Sequence, residues 1–253
     1  MKALSTSLAV LSLLLATTAY GETKVDPTLR VIAEQRYDDD LLLRQAGNDG
    51  PLNGQFMTKL SPELGLRARA PLWTLRTWYA MDAMYRETSG TTRIDHRGSL
   101  QAMRQFDERT TYKLDFQIYR VTDPTSLPRV GVARTLSPVL YGKATTGLSY
   151  MAAERWQLHP YLVAEGAKVY DDQNRLPGYM LAPALESWFL ATRRTSVGGE
   201  YRFQYLAMGD KGAHANGIFG AYRYRISRPW TFTTKAGPVF YQENGSGNSG
   251  LVP

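Results

Sequence analysis

Basic side chains recur at alternate positions in many segments of this 253-residue chain, each time interleaved with apolar residues. The clearest case is Thr110–Asp123, in which Lys113 and Asp115 alternate with Leu114 and Phe116. Successive side chains of a strand point to opposite faces, so the charges share one face and the apolar side chains share the other. Rings of Arg and Lys around a water-filled pore select anions, and this is the chemistry that the pattern predicts.

The same parity argument, applied along the chain, gives a set of basic residues that we expect to line a lumen. They are Arg30, Arg36, Arg67, Arg69, Arg76, Arg86, Arg97, Lys113, Arg202, Arg223, Arg225 and Lys235. Fewer acids share that face, namely Glu34, Glu63, Asp82, Asp95, Asp115, Glu186 and Glu200. The excess of positive charge favours a channel for anionic solutes or an acidic polysaccharide. The alternative is that these charges pair across strands and plug a narrow lumen. Either arrangement needs water or partners inside, because isolated buried charges are costly.

The sequence lacks the residue combinations of a catalytic site. It contains no Cys, which removes thiolate nucleophiles and thiolate metal ligands. Its three histidines are scattered, and no Gly-x-Ser-x-Gly motif is present. His96 and Ser99 are close in sequence but differ in parity, so they face opposite sides of a strand. We therefore expect no enzyme and no catalytic residue, with a lipid-modifying enzyme as the least favoured function.

The acidic run Asp38–Asp40 offers the hard oxygen ligands that Ca²⁺ prefers. It lacks the spaced acidic pattern and the glycine of a defined calcium loop, so we interpret it as a solvated loop. The sequence thus predicts no metal ion and no cofactor.

The elements that position the charged face are strands, because the alternation recurs along the whole chain. It predicts eleven of them, namely Thr28–Tyr37, Phe56–Ala70, Leu72–Arg86, Ile94–Gln105, Thr110–Asp123, Pro138–Ala152, Gln157–Tyr170, Tyr179–Leu190, one through Val197–Tyr205, one through Ile218–Arg225, and Trp230–Tyr241. Short turns, such as Pro71 and Ser227–Pro229, alternate with longer loops rich in Gly, Pro and Asp, such as Met208–Asn216. This asymmetry is typical of outer-membrane barrels. We therefore predict an all-β fold, an antiparallel up-and-down transmembrane β-barrel that starts on the periplasmic side.

The number of predicted strands bears on how the barrel closes. Eleven is odd, whereas bacterial barrels normally close with an even number of strands. The tail Asn244–Pro253 resembles a loop and does not end on an aromatic residue. We expect at least eleven strands and favour twelve or more, with truncation at the C-terminus as the preferred explanation. The eighth strand is the weakest prediction, since Pro183 lies inside it and cannot donate a ladder hydrogen bond.

Aromatic residues mark the predicted strand ends. Tyr and Trp are enriched at both membrane–water interfaces, where one part of the ring system meets lipid and another meets water. The residues expected in these girdles are Tyr37, Trp73, Tyr85, Tyr170, Tyr205 and Trp230. Some of them would stack on sugars if they pointed into the pore instead.

The N-terminal segment predicts export. Residues 1–21 combine the basic Lys2, the apolar core Leu8–Ala16 and the small-x-small site Ala19–Gly21, which is the pattern of a cleaved signal peptide. Removal of Lys2, the only charged residue in this segment, lowers the formal net charge from +7 to +6. Residues 22–253 are expected to form one barrel domain in the outer membrane, in contact with its lipids. Export also argues against a nucleic-acid partner, although the chain is basic.

Two stretches carry a family resemblance. Gln35-Arg36-Tyr37-Asp38-Asp39-Asp40, followed by Leu60-Ser61-Pro62-Glu63-Leu64-Gly65-Leu66, resembles the outer-membrane family called β-barrel porin 2. Members of that family often accompany exopolysaccharide gene clusters. The resemblance implies an outer-membrane barrel with a role in polysaccharide export. The alternative is a structural or assembly barrel with no open pore, which acts as a partner for periplasmic export proteins.

Overall fold

The computed structural model describes residues 23–38, 55–86, 90–122, 139–169, 178–209, 211–244 and 249–252, and these residues form strands joined by turns. The strands are β1 (Lys24–Asp38), β2 (Gln55–Ala70), β3 (Trp73–Arg86), β4 (Thr91–Gln105), β5 (Thr110–Val121), β6 (Val139–Ala153), β7 (Trp156–Val169), β8 (Gly178–Leu190), β9 (Thr195–Met208), β10 (Lys211–Arg225), β11 (Thr231–Ala236), β12 (Val239–Glu243) and β13 (Ser249–Val252). The predicted signal peptide, residues 1–21, lies outside the described residues. Within the described ranges, no helix is long and apolar enough to cross a membrane.

All strands belong to one antiparallel sheet in which spatial order follows sequence order. The path runs from β1 to β10 without a crossover, then to β12 and β13, with β11 also paired to β10. Most strands have 12 to 16 residues, longer than the minimum needed to cross a bilayer when tilted. The predicted fold class is confirmed: the protein is an all-β, antiparallel, up-and-down barrel.

The segments β11 and β12 occupy one position in the sheet. Both pair with β10, and the pairs Gly220–Ala236 and Gly217–Val239 continue a single register across the break. The break falls at Gly237 and Pro238, where proline cannot supply a ladder donor. Among the described residues, thirteen segments therefore make twelve strand positions, in agreement with the expectation of twelve or more.

Two local predictions were wrong. The predicted loop Met208–Asn216 is a tight hairpin, because β9 ends at Met208 and β10 begins at Lys211. Gly209 has a φ of 59°, which a residue without Cβ adopts without steric conflict, and this permits the sharp turn. The tail is not wholly a loop either, since Ser249–Val252 forms β13 against β12. The regular alternation of short turns and long loops is thus broken between β9 and β10.

Prolines inside strands leave gaps in one ladder only. Pro183 lies within β8, which runs from Gly178 to Leu190, and it is paired with Leu162 of β7. On the β9 side the paired positions pass from Leu181 to Ala184 and omit the proline. Pro62 and Pro160 likewise fall at gaps in the β2–β3 and β6–β7 ladders. A strand accommodates proline in this way because only one neighbour loses the hydrogen bond.

The two faces of the sheet differ in polarity, as the alternation predicted. One face carries large exposed apolar side chains from β1 onward, among them Leu29, Leu64, Leu185 and Ile218. Residues directly opposite each other share a face, and the polar face is concave, because side chains from β2 to β8 line a common cavity. An apolar exterior around a polar interior is the arrangement of a membrane barrel.

Candidate functional site

The strand register tests whether the predicted basic residues share a face. Arg69, Lys113 and Arg202 lie in one row that crosses from β2 to β9, through Thr74, Met103, Gly147, Tyr161 and Ala184. The other members with described side chains, from Arg30 on β1 to Lys235 on β11, have the same parity in their strands. The side chains of Arg36 and Arg86 lie outside the described part of the structure. A shared concave face is established for the rest, and their role in lining a conducting pore stays a prediction.

One group of interior charges is centred on Asp82, whose residue is 5% exposed. Arg97 donates from Nη2 to its Oδ1 at 2.9 Å, and the Arg97 Nε atom lies 2.7 Å from Oδ2. Lys59 Nζ lies 3.5 Å from the same carboxylate. The Arg97 guanidinium also lies 5.8 Å from the centre of the Trp78 ring. Two cations thus neutralise this acid, as the paired-charge alternative expected.

A second group, which we call the carboxylate pair, consists of Glu186 and Glu200 with the residues that bind them. The two glutamates lie directly opposite each other on β8 and β9. Lys235 donates to both of them from β11, and Arg202 donates to Glu200. The Tyr161 hydroxyl donates to Glu200 at 2.8 Å. Glu200 is 2% exposed, so its charge depends on these donors rather than on bulk water.

The indole of Trp188 lies against the sheet beside the carboxylate pair. Its Nε1 donates to Glu186 at 3.1 Å, and the Arg223 guanidinium sits 4.1 Å from the ring centre. Trp188 is 2% exposed although it points to the polar face. Gly198, directly opposite on β9, makes this possible, because a Cβ there would lie 2.9 Å from the indole and 2.3 Å from the Ser187 carbonyl oxygen. Arg223 is therefore engaged in a cation–π contact.

A third group of basic residues has no acidic partner within the described part of the chain. Arg67, Arg76 and Lys113 line a cavity of about 660 Å³, with Gln101 and Asp115 on the same wall. Among the described residues no ion pair joins any of these three cations to an acid. The cavity is also lined from β6, β7 and β8 by His159, Tyr161 and Glu186, together with the small residues Thr145 and Gly147. This part of the interior is rich in positive charge.

Aromatic residues form contacts at both ends of the strands, on the apolar face. Tyr37 packs edge-to-face on Phe56 at one end, and Trp156 packs on Phe189 at the other. Tyr205 packs on Tyr179, whereas Trp230 is 70% exposed at the start of β11. Trp73 begins β3 and Tyr85 lies near its end, while Tyr170 lies outside the described residues. These positions fit interfacial girdles, and contact with lipid stays a prediction.

The carboxylate pair and its donors were only partly visible in the sequence. Parity assigned Glu186, Glu200, Arg202 and Lys235 to the polar face, but it gave no sign that they contact one another. Tyr161 and Trp188 were missed, since an aromatic residue at an inward position resembles a break in the alternation. Lys143, which pairs with Glu165 at 2.7 Å, was also missed although it has inward parity. Only the register of neighbouring strands brings these residues together.

The residues considered for other chemistry are separated. His96 accepts or donates a 2.6 Å hydrogen bond with the Tyr79 hydroxyl on the apolar face, whereas Ser99 lies on the polar face. The described part of the chain holds no group of three or more His, Asp or Glu side chains placed to bind a metal ion. Of the acidic run, residues 39 and 40 lie outside the described residues, as does the side chain of Asp38. The expectation of no enzyme stays a prediction.

Comparison with known proteins gives limited information. No family model matches the chain, and no curated protein matches it. Among solved structures it is similar to OmpTΔL8, a loop-deletion mutant of an outer membrane protein of Vibrio cholerae, with 7% identity, a TM-score of 0.45, and coverage of 90% of this chain and 96% of that chain. It is also similar to the CymD monoaromatic hydrocarbon channel, with 12% identity, a TM-score of 0.27, and coverage of 90% and 80% respectively. Because these scores are low, the fold assignment rests on the strand pairing itself.

Proposed function

We propose that this protein is an outer-membrane channel that prefers anionic solutes, with an acidic exopolysaccharide as one class of cargo. The observation that carries the proposal is the interior cavity lined by residues from β2 to β8, in which Arg67, Arg76 and Lys113 have no acidic partner among the described residues. Fixed positive charge along a wet passage raises the local concentration of anions and lowers that of cations.

The apolar outer face and the aromatic contacts at both strand ends support an outer-membrane location, and the predicted signal peptide would direct the chain there. The proposed role in polysaccharide export rests on the resemblance to the β-barrel porin 2 family, with periplasmic export proteins as partners.

A second candidate is a non-conducting barrel that serves an export system as a scaffold. It is favoured by the ion-paired interior groups around Asp82 and around the carboxylate pair, which occupy space and hold strands together. In this case the interior charges would stabilise the wall without admitting solute.

Single-channel recording in planar bilayers with a KCl gradient distinguishes the two candidates. We expect discrete conductance steps and a reversal potential on the anion-selective side. The double variant Arg67→Glu plus Arg76→Glu should move the reversal potential toward cation selectivity. Arg193→Glu plus Arg228→Glu reverses two exposed turn residues and is the matched control, which should leave the potential nearly unchanged. A folded barrel without conductance would refute the channel and support the scaffold.

A further inference from the structure

Two of the cations that line the cavity face each other across a strand pair. Arg67 on β2 and Arg76 on β3 are directly opposite in the register, and Arg76 is directly opposite Gln101 on β4. Like charges at directly opposite positions of an antiparallel pair destabilise the sheet. The arrangement therefore favours the binding of an anion between the two guanidinium groups.

The pair shares its register row with two acids, Asp26 and Asp115, and among the described residues neither forms an ion pair with it. Asp26 is directly opposite Arg67 on β1, but it accepts a 2.9 Å hydrogen bond from Nη2 of Arg69. Asp115 follows Gln101 in the same row, on β5. Its Oδ2 accepts a 2.8 Å hydrogen bond from Gln101, and its Oδ1 accepts a 3.0 Å hydrogen bond from Gln117. Both carboxylate oxygens are thus occupied by side-chain amides. The amide of Gln101 separates Asp115 from the arginines and holds it in place.

Three other interior arginines are bound by acids. Arg69 lies on the same strand and face as Arg67, and its Nη2 donates to Asp26 at 2.9 Å. Arg97 and Arg202 are bound to Asp82 and Glu200 respectively. Among the described residues Arg67 and Arg76 form no such ion pair, and they lie directly opposite each other on the cavity wall.

The cavity beside the pair is large enough for an organic anion. Its volume of about 660 Å³ falls within the range of small-molecule sites. Lys113 lines the same space from β5, so a third positive charge is available. Guanidinium groups bind the two oxygens of a carboxylate or phosphate through parallel hydrogen bonds, which gives geometric specificity as well as charge.

We propose that Arg67 and Arg76, assisted by Lys113, form a discrete oxyanion-binding site in the barrel wall, which takes the carboxylate or phosphate group of a sugar acid or sugar phosphate. The site rests on the proposed function in that its ligand is the class of solute admitted to the interior. It goes further because it requires saturable binding at one place rather than a diffuse positive potential.

The test is isothermal titration calorimetry on the full chain refolded in detergent micelles at low salt. The probes are sodium glucuronate for the carboxylate source, inorganic phosphate for the phosphate source, and glucose as the neutral control. Saturable binding of glucuronate or phosphate, without binding of glucose, is the expected result, and the tighter probe identifies the source. Heat added in proportion to concentration without saturation would overturn the proposal.

Matched variants locate the binding. Arg67→Gln and Arg76→Gln should each weaken it by about tenfold or more, since a charged hydrogen bond is lost. Arg225→Gln removes one interior-facing positive charge from β10, outside the cavity, and should leave affinity within about twofold. Equal losses in Arg67→Gln and Arg225→Gln would overturn the site in favour of a diffuse field. Arg76→Lys keeps the charge and the fold but removes the fork, so it should also weaken binding, and unchanged affinity would refute bidentate recognition.

Binding and conduction fail separately. A barrel that binds glucuronate but does not conduct would refute the channel and leave the site. A barrel that conducts with anion preference but shows no saturable binding would refute the site and leave the channel.

Discussion

Substitution of Lys235 by Met gives the sharpest test of the interior network. Lys235 is the cation that two carboxylates share, since it donates to both Glu186 and Glu200 from a strand that neither of them occupies. Methionine has a similar length and keeps the apolar stem, so the change removes the charge with little loss of packing. Two glutamates would then lie directly opposite each other without their common partner.

The expected cost follows from the contacts. Each charged hydrogen bond contributes about 1.5–3 kcal/mol, and two are lost. The Lys235 side chain is 30% exposed, so water screens part of that interaction, and Arg202 still compensates Glu200. Uncompensated repulsion between the two carboxylates adds to the loss. We expect the free energy of unfolding to fall by about 2–4 kcal/mol.

The assay is urea unfolding of the barrel in lipid vesicles, followed by tryptophan fluorescence and extrapolated linearly to water. Lys143→Met is the control, because Lys143 pairs with the single, partly exposed Glu165 and should cost no more than about 1 kcal/mol. Adding Glu186→Gln to Lys235→Met should restore about 1–2 kcal/mol by removing the repulsion. Equal costs for the two lysines, or no recovery in the double variant, would refute the reasoning.

Two further predictions concern packing and pH. Gly198→Ala should destabilise the barrel by about 1–3 kcal/mol, because the new Cβ would meet the Ser187 carbonyl oxygen at 2.3 Å. Gly142→Ala, with its nearest atom at 4.0 Å, is the control for the same urea assay, and equal effects would contradict the packing argument. In the β4–β5 turn, the Arg109 backbone N–H donates to Asp107 and lowers the pKa of that carboxyl from 3.8. Because the pKa is lowered in the folded state, the ionised Asp107 stabilises the turn above pH 3.8, and this stabilisation is lost as the pH falls through the pKa of the folded state. The Arg109 amide should therefore become less protected from hydrogen exchange at low pH, after correction for the intrinsic pH dependence of exchange. Asp107→Asn should weaken this pH dependence, and an unchanged profile would argue against the assignment.

The alternation of apolar and polar residues was sufficient to predict the strands and the face of the sheet on which each side chain lies. Parity assigned Arg67, Arg76 and Lys113 to one face because every second side chain of a strand points the same way. It also located most turns, since Pro71 and Ser227–Pro229 disrupt the pattern. The prediction was wrong at the β9–β10 hairpin, where Gly209 permits a tight turn. A glycine-containing segment fits a tight turn as well as a long loop, so composition did not distinguish the two.

The pairing of side chains across strands was beyond the sequence. Parity says that Glu186 and Lys235 share a face, but their contact spans three strand intervals and depends on the curl of the sheet. The small residues Gly198 and Ala221, which lie in the same row as Trp188 and Lys235, leave room for these long side chains to reach across. Such a contact depends on the register of three separate ladders, and no local pattern encodes it.

The sequential strand order also has a kinetic consequence. Each ladder joins neighbours along the chain, so each new strand can add to the one before it without a crossover. The bonds from Lys235 to Glu186 are different, because they need β8, β9, β10 and β11 to be in place first. Contacts that form after the rate-limiting step slow unfolding and leave the folding rate almost unchanged. We therefore expect the Lys235 contacts to form late in folding and to slow the unfolding of the assembled barrel.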